Sequence, residues 1–269
     1  MSIDNVTAYI NAGGRGTRIR PTLDDSKSDP VIGVSKAFLE VGHNKTLLID
    51  HHIRRLLHEH IPTIIAGVGD HANVKSYVDQ SYADHPNVYA LDTAKQRGTA
   101  GDLIDALRGS RLFLGSILIN NVDTILDIDD AAFMYLHREK DAGMTIALTR
   151  RKGVPNEGAF KVDQSDRVVY SAEASENPLT LQKAEEKMHW LGSSTGSVII
   201  ERELLQSFAE GRNLEEPLSL YRDVMAYALT QNALYAFDNK NKYFLDVGTV
   251  AAWEQAKADV EVIQSYLAD

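Results

Sequence analysis

The sequence predicts an α/β fold: a Rossmann-like, doubly wound, mostly parallel sheet followed by a mixed, β-rich part. Three observations carry this. Short apolar runs alternate with helix-spaced segments through the first half. The first of those runs opens directly into a glycine-rich turn. From about Met144 the helical segments give way to strands joined by short turns. Parallel strands joined by helices follow right-handed crossovers, so the first half should be a parallel sheet with helices on its faces.

Taken in order, residues 6–11 (VTAYIN) form a mostly apolar run entering glycines, read as a buried strand. Thr46 is placed to cap a helix carrying Leu47, Ile49, Ile53, Leu56 and Leu57 at helical spacing. Residues 63–68 (TIIAGV) read as a second buried strand, 72–82 as a helix and 88–91 as a third strand. A helix follows Gly98-Thr99-Ala100-Gly101, and 116–122 (SILINNV) is a fourth strand. Beyond it, 144–149, 159–162 and 168–172 are strands, with Gln164-Ser165-Asp166 as a hairpin turn. Residues 190–200 read as strand, 217–229 as helix, 234–238 and 243–246 as strand, and a last helix starts near Val250. Ligands of such sheets bind at the carboxyl ends of the parallel strands.

Composition bounds the function. The chain of 269 residues carries a formal charge of −10, which argues against a nucleic-acid partner, because a phosphate backbone needs a basic face. There is no apolar run approaching the roughly 20 residues of a membrane span. The N-terminal residues lack the basic and apolar regions of a secretory signal. With no cysteine there are no disulfides or thiolate metal sites, in keeping with a cytoplasmic location. A small anionic ligand remains possible, held by backbone N–H groups, a few cations and a divalent metal.

The strongest local signal is Asn11-Ala12-Gly13-Gly14-Arg15-Gly16-Thr17-Arg18. Glycines let a ligand approach the backbone, successive N–H groups can form an anion nest, and Arg18 offers a fork suited to phosphate oxygens. Neither Gly-x-x-x-x-Gly-Lys-Ser/Thr nor Gly-x-Gly-x-x-Gly occurs, so this is neither a P-loop nor a dinucleotide fingerprint.

The string GGRGTR followed by Pro21 resembles the signature loop of the sugar-1-phosphate nucleotidylyltransferase (NTP-transferase) family, and further pieces follow in that family's order from Tyr9 to about Ala256. The resemblance implies a nucleotide-diphospho-sugar transferase type of fold: a single domain over residues 1–269, with a nucleotide-binding part at about 1–143 and a sugar-phosphate-binding and C-terminal part at about 144–269. It implies that Ala12, Gly13, Gly14, Gly16 and Thr17 bind the nucleotide and that Arg18 is catalytic. Lys36, in Ser35-Lys36-Ala37-Phe38-Leu39, matches the family's lysine that contacts the triphosphate. Glu40 stands where a proline is usual, the spacer 22–33 is long, and Lys27 within it is a rival to Lys36.

Gln96-Arg97-Gly98-Thr99-Ala100-Gly101 resembles the family's turn against the base, which implicates Gln96, Gly98 and Thr99; physically, Gly98 permits close approach and Thr99 can cap the next helix. Asn121-Val122-Asp123 and Asp246-Val247-Gly248-Thr249 match the two segments whose carboxylates hold Mg²⁺ in the family. Asp123 would therefore be both catalytic and, with Asp246, metal-binding; a helix N-cap is the other reading of Asp246. Asp127, Asp129 and Asp130 read as capping and first-turn acids of the next helix.

On the sugar-phosphate side, Gly158 and Thr195-Gly196 match, with Glu157 in place of a tyrosine. Glu173 is followed by Ala174 where the family has a lysine, so Glu186 and Lys187 are preferred as the sugar and phosphate contacts. His51, His52, His58 and His60 have poor spacing for one metal-binding helix face, and the stripe of Leu and Ile between them reads as core.

The implied reaction joins a nucleoside triphosphate to a sugar-1-phosphate by in-line attack on the α-phosphate with Mg²⁺; family members commonly associate as homo-oligomers, and the sequence itself does not set the oligomeric state. A non-catalytic nucleotide-sugar-binding regulator on the same fold is the main alternative. A nicotinamide-dependent oxidoreductase lacks its glycine fingerprint, and a glycosyltransferase would more typically carry Asp-x-Asp.

Overall fold

A computed structural model describes residues 5–14, 35–42, 45–93, 97–150, 159–173, 184–240 and 242–259. Strand β1 (Val6–Asn11) is followed, after the glycine turn, by a 3₁₀ turn (Lys36–Phe38) and a short ladder of β2 (Glu40–Val41) with β3 (Thr46–Leu47). Next come α1 (Leu48–His58), β4 (Thr63–Gly67), α2 (Ala72–Ser81), β5 (Val88–Leu91), α3 (Gly98–Gly109) and β6 (Ser116–Asn121). Strand β7 (Thr124–Leu126) and α4 (Asp130–Glu139) lead to β8 (Met144–Thr149), β9 (Ala159–Val162), β10 (Val168–Ser171) and the long β11 (Trp190–Glu201). Helix α5 (Arg202–Ala209), a π-helical turn (Leu220–Val224), α6 (Met225–Thr230), β12 (Leu234–Asp238), β13 (Phe244–Asp246) and α7 (Val250–Ala258) complete the described chain.

Among the described residues nine strands share one sheet, in the order β10-β9-β11-β6-β1-β4-β5, with β8 joining β11 to β12. Pairs β1–β4, β1–β6, β4–β5 and β8–β12 are parallel; β11 runs antiparallel to β6, β8 and β9. The expected parallel half and mixed half are thus both present. Alternate residues of β1 enter different cores, as a pleated strand requires. Val6, Ala8 and Ile10 pack with α1, α2, α4 and α7, whereas Tyr9 packs with α3, α5 and α6. That is a helical layer on each face.

Several expectations are corrected. Thr46 does not cap α1: Thr46 pairs with Val41 in the β2–β3 ladder, and the helix begins at Leu48, whose N–H donates to Leu39 O at 3.0 Å. The helix expected at 217–229 is a π turn and a six-residue α-helix. Asp129 does cap α4, accepting from Ala132 N at 2.9 Å. Asp130, by contrast, is fully buried and joined directly to Arg55, whose guanidinium also donates to Asn120 Oδ1 at 3.3 Å. It is a first-turn acid of α4, as expected, and also one half of a core ion pair. Among the described residues no helix is long and apolar enough to cross a membrane.

Candidate active site

Strand β1 pairs with β4 on one side and β6 on the other, and Asn11 is level with both Gly67 and Asn121. The chain leaves β1 outward through β4 and β5, then returns to β6 on the opposite side. The crevice of a doubly wound sheet opens at this reversal, outside the carboxyl ends of β1 and β6. The glycine turn leaves the first of those ends and Asp123 the second.

Ala12 continues β1 by donating to Gly67 O at 2.9 Å. Gly13 packs backbone to backbone on the turn after β4: a Cβ there would lie 3.1 Å from Gly69 Cα. Gly14 is exposed, its carbonyl oxygen lies 3.4 Å from His71 Nε2, and a Cβ added to it meets no described residue within 4 Å. Gly16, Thr17, Arg18 and the rival Lys27 lie outside the described residues, as do Gln96 and Gly158.

Lys36 opens the 3₁₀ turn, which Ser35 caps by accepting from Ala37 N. Its ammonium Nζ is 2.5 Å from Asp123 Oδ2, and the two side chains are only 10% and 23% exposed. Asp123 sits in the turn between β6 and β7. Its carbonyl accepts from Val247 N at 2.7 Å, and β13 lies antiparallel to β7 with Asp246 opposite Thr124. Two aspartates far apart in sequence therefore occupy neighbouring strand ends. The alternative role for Asp246 falls away, because the cap of α7 is Thr249, accepting from Ala252 N. Beneath the turn lies buried His52, its ring against the backbone of Val122 and Thr124 and near the Asp123 carboxylate. Burial, with Arg55, pushes its pKa down to about 3, against the opposing pull of that backbone and of Asp123, so it is a neutral prop at physiological pH. Burial likewise pushes the pKa of the neighbouring His51 far down, and both rings lie in the core with the Leu and Ile stripe that the sequence places there.

The turn before α3 is held from outside. Gly98 has φ +78°, and a Cβ there would be 2.4 Å from Leu218 O. Thr99 does not cap α3; its hydroxyl accepts from Leu220 N at 2.9 Å. Arg97 is buried, with its guanidinium on Asp105 at 3.0 Å and Glu215 at 2.7 Å, and its N–H on Asp102. Thr93 completes the belt by accepting from Gly69 N at 3.0 Å.

On the β-rich side, Thr195 is fully buried and spends its hydroxyl on Ala147 O at 2.9 Å. The next residue, Gly196, has φ +81° at a bulge of β11, where a Cβ would meet Thr124 Cγ2 at 2.8 Å and Asn121 Nδ2 at 3.4 Å. Glu186 and Lys187 are exposed in the helical turn 184–187, and the adjacent Glu185 pairs with Lys161 rather than with the crevice. Residues that sequence reasoning passed over do reach it. The phenol oxygen of Tyr221 accepts from Ser194 Oγ at 3.4 Å and from the Asn121 side chain, and it feels the charges of Glu173 and Asp123. Glu173 is thus better placed than Glu186 for the acceptor side.

An exposed Gly14, a lysine–aspartate pair and a second aspartate are gathered at the switch point of a doubly wound sheet, where ligands of such sheets bind. The comparisons supply the class. Residues 7–262 match the nucleotidyl transferase family model, and the chain belongs to that family. It is 25% identical over 265 residues to a mannose-1-phosphate guanylyltransferase of Mycobacterium tuberculosis, with 97% of this chain and 66% of that protein covered. It is also 25% identical over 275 residues to glucose-1-phosphate adenylyltransferase 1 of Vibrio vulnificus, covering 95% of this chain and 66% of that protein. The chain thus spans about two thirds of the length of these relatives. Among solved structures, a Bacillus anthracis protein described as a glucose-1-phosphate thymidylyltransferase superposes with a TM-score of 0.71 at 18% identity, over 94% of each chain. The inositol-1-phosphate CTP transferase of T. maritima superposes with a TM-score of 0.68 at 13% identity, over 98% of this chain and 97% of that one.

Proposed function

We propose that this chain joins a nucleoside triphosphate to a sugar-1-phosphate, forming a nucleotide sugar and releasing pyrophosphate. The observation that carries the reading is Lys36 on Asp123, with Asp246 on the adjoining strand, at the end of β6 beside the glycine turn that ends β1. The named activities of the relatives, each a nucleotidyl transfer to a phosphorylated acceptor, support it.

In this reaction a phosphate oxygen of the acceptor attacks the α-phosphorus in line. One P–O bond forms, the bond to the β-phosphate oxygen breaks, and pyrophosphate leaves with the electron pair. No covalent enzyme intermediate is needed, so the protein's work is alignment and charge neutralisation. Gly13 and Gly14 offer backbone to the phosphates, and Lys36 holds charge on the leaving side with Arg18, as the family resemblance implies. Among the described residues no group of three or more His, Asp or Glu gathers as a metal cage. Two aspartates fit Mg²⁺, which takes one or two carboxylates and fills the rest of its octahedron with phosphate oxygen and water. Asp123 and Asp246 would hold that ion, which supplies charge neutralisation at the α-phosphate and acceptor phosphate.

The test is pyrophosphate release from a matrix of ATP, GTP, CTP, UTP and dTTP against a panel of sugar-1-phosphates with Mg²⁺. At least one pair should turn over. Asp123→Asn and Lys36→Met should each lower kcat by about 10²-fold or more, the scale of losing one preorganised charge contact. Nucleotide binding without turnover for every pair would refute the reading and favour a regulatory protein on the same fold.

A further inference from the structure

We infer that Tyr221 is a specificity-determining residue that hydrogen-bonds a hydroxyl group on the sugar ring of the acceptor; the inference rests on the function proposed above. Tyr221 is the second residue of the π turn, which is fixed at its base. Ser219 donates its N–H to Asp223 Oδ2 at 2.7 Å and accepts from Arg222 N at 3.2 Å. The residues leading into it are clamped on the turn before α3, through Leu218 N to Arg97 O at 2.7 Å, Ala100 N to Leu218 O at 3.0 Å and Leu220 N to Thr99 Oγ1. The ring therefore enters the crevice from a rigid strut, not from a loose loop.

At its tip the phenol stands between the two halves of the site. Asn121, which donates to it, ends β6 two residues before Asp123; Ser194, the other donor, lies beside the bulge of β11 in the β-rich half. The missing side chain of Gly196 lets the β11 backbone pack closely on Thr124 and Asn121, which brings the two halves of the site together. With the acceptor's phosphate at Asp123, a sugar ring directed into the β-rich half would meet Tyr221, which contacts Ser194 and feels both Asp123 and Glu173. With Ser194 and Asn121 both donating to the phenol oxygen, the phenol's own proton is left for an acceptor in the crevice, such as a sugar hydroxyl oxygen. Burial raises the pKa of Tyr221, and the charges of Glu173 and Asp123 add to that against the two hydrogen bonds, so the group stays a neutral donor. A site built to bond a hydroxyl discriminates strongly against an acceptor that lacks or misplaces it, because a buried polar group is then left unpaired.

The experiment compares wild type with Tyr221→Phe, which keeps the ring and removes only the hydroxyl. Steady-state pyrophosphate release is measured with the best NTP of the matrix and α-D-glucose, α-D-mannose and α-D-galactose 1-phosphates, alongside the melting temperature. Tyr221→Phe should raise KM for the preferred acceptor about 10-fold, the worth of one hydrogen bond, and flatten the selectivity among the three epimers. KM for the NTP should stay within about 2-fold of wild type, since the ring and its strut remain. Wild-type acceptor KM and epimer ratios in an active variant would overturn the inference alone. So would a rise in both KM values with a lowered melting temperature, which is a structural role. No pyrophosphate from wild type with any pair would sink the parent reading and this inference with it.

Discussion

Replacing Gly98 by alanine tests whether the turn before α3 is held by packing, by ligand contact or by both. The residue has φ +78°, a conformation that costs a residue with a Cβ about 1–2 kcal/mol. The new methyl would sit 2.4 Å from Leu218 O, whereas ordinary contact begins at 3.4 Å. Leu218 cannot yield freely, because its N–H is bonded to Arg97 O and its carbonyl to Ala100 N. Forcing a methyl into such a space typically costs about 1–3 kcal/mol more. The sum, about 2–5 kcal/mol, corresponds to a fall in melting temperature of roughly 5–20 °C for a domain of this size. Thermal unfolding followed by circular dichroism, with an equilibrium denaturant titration beside it, reads the loss directly. A variant melting within about 2 °C of wild type would show that Leu218 does not close over this turn, and the strut that carries Tyr221 would lose its footing with it.

Gly14→Ala makes the opposite test. Its φ is ordinary and its Cβ meets no described residue, so stability should change by less than about 1 kcal/mol, while a methyl on the crevice side should lower kcat/KM for the NTP about 10-fold or more. Unchanged kinetics would remove Gly14 from the nucleotide surface. The pH dependence of stability should report on Glu201. Burial raises its pKa, but hydrogen bonds from His137 and Ser116 and the charges of His137 and Arg138 outweigh that and hold the carboxyl below its ordinary value. A lowered native pKa stabilises the fold above the unfolded value, near about 4.3, and that contribution disappears as pH falls through the native value. Melting temperatures of wild type and Glu201→Gln should accordingly differ at pH 7 and converge below pH 4; a constant gap would refute the assignment.

What was legible in the sequence follows from where the information lies. Strands β1, β5, β8, β9 and β12 begin and end at the residues expected, because each is an apolar run bounded by turn chemistry. The placement of Asp123 and Asp246 at strand ends was legible for the same reason. Thr46 was misjudged because its pairing partner, Val41, lies across a turn, and a two-residue ladder leaves no periodic trace. The helix expected at 217–229 is present over 220–230, but its later start and π-helical first turn were not legible, because the ties of Leu218 to Arg97 and Ala100 are tertiary. Tyr221 was missed for a related reason: its meaning depends on Ser194 and Asn121, which arrive from other elements. Local pattern finds residues that leave a strand into a crevice; it does not find residues delivered there by a distant segment.

The site shares one construction rule. Among the described residues, four segments around the crevice are each fixed by an element distant in sequence. Ala12 is tied to Gly67, Asp123 to Val247, Gly98 to Leu218, and Gly69 to Thr93. Backbone groups at strand ends would otherwise fray, since they have left the ladder that satisfied them. Anchoring them through contacts away from Lys36, the two aspartates and Tyr221 sets the Cα positions of these residues without using their side chains as the anchors. Lys36 resting on Asp123 fits the same logic. On the function proposed above, an acidic chain of charge −10 that receives a triphosphate would be helped by compensating this partly buried carboxylate, and the Lys36 ammonium rests on it.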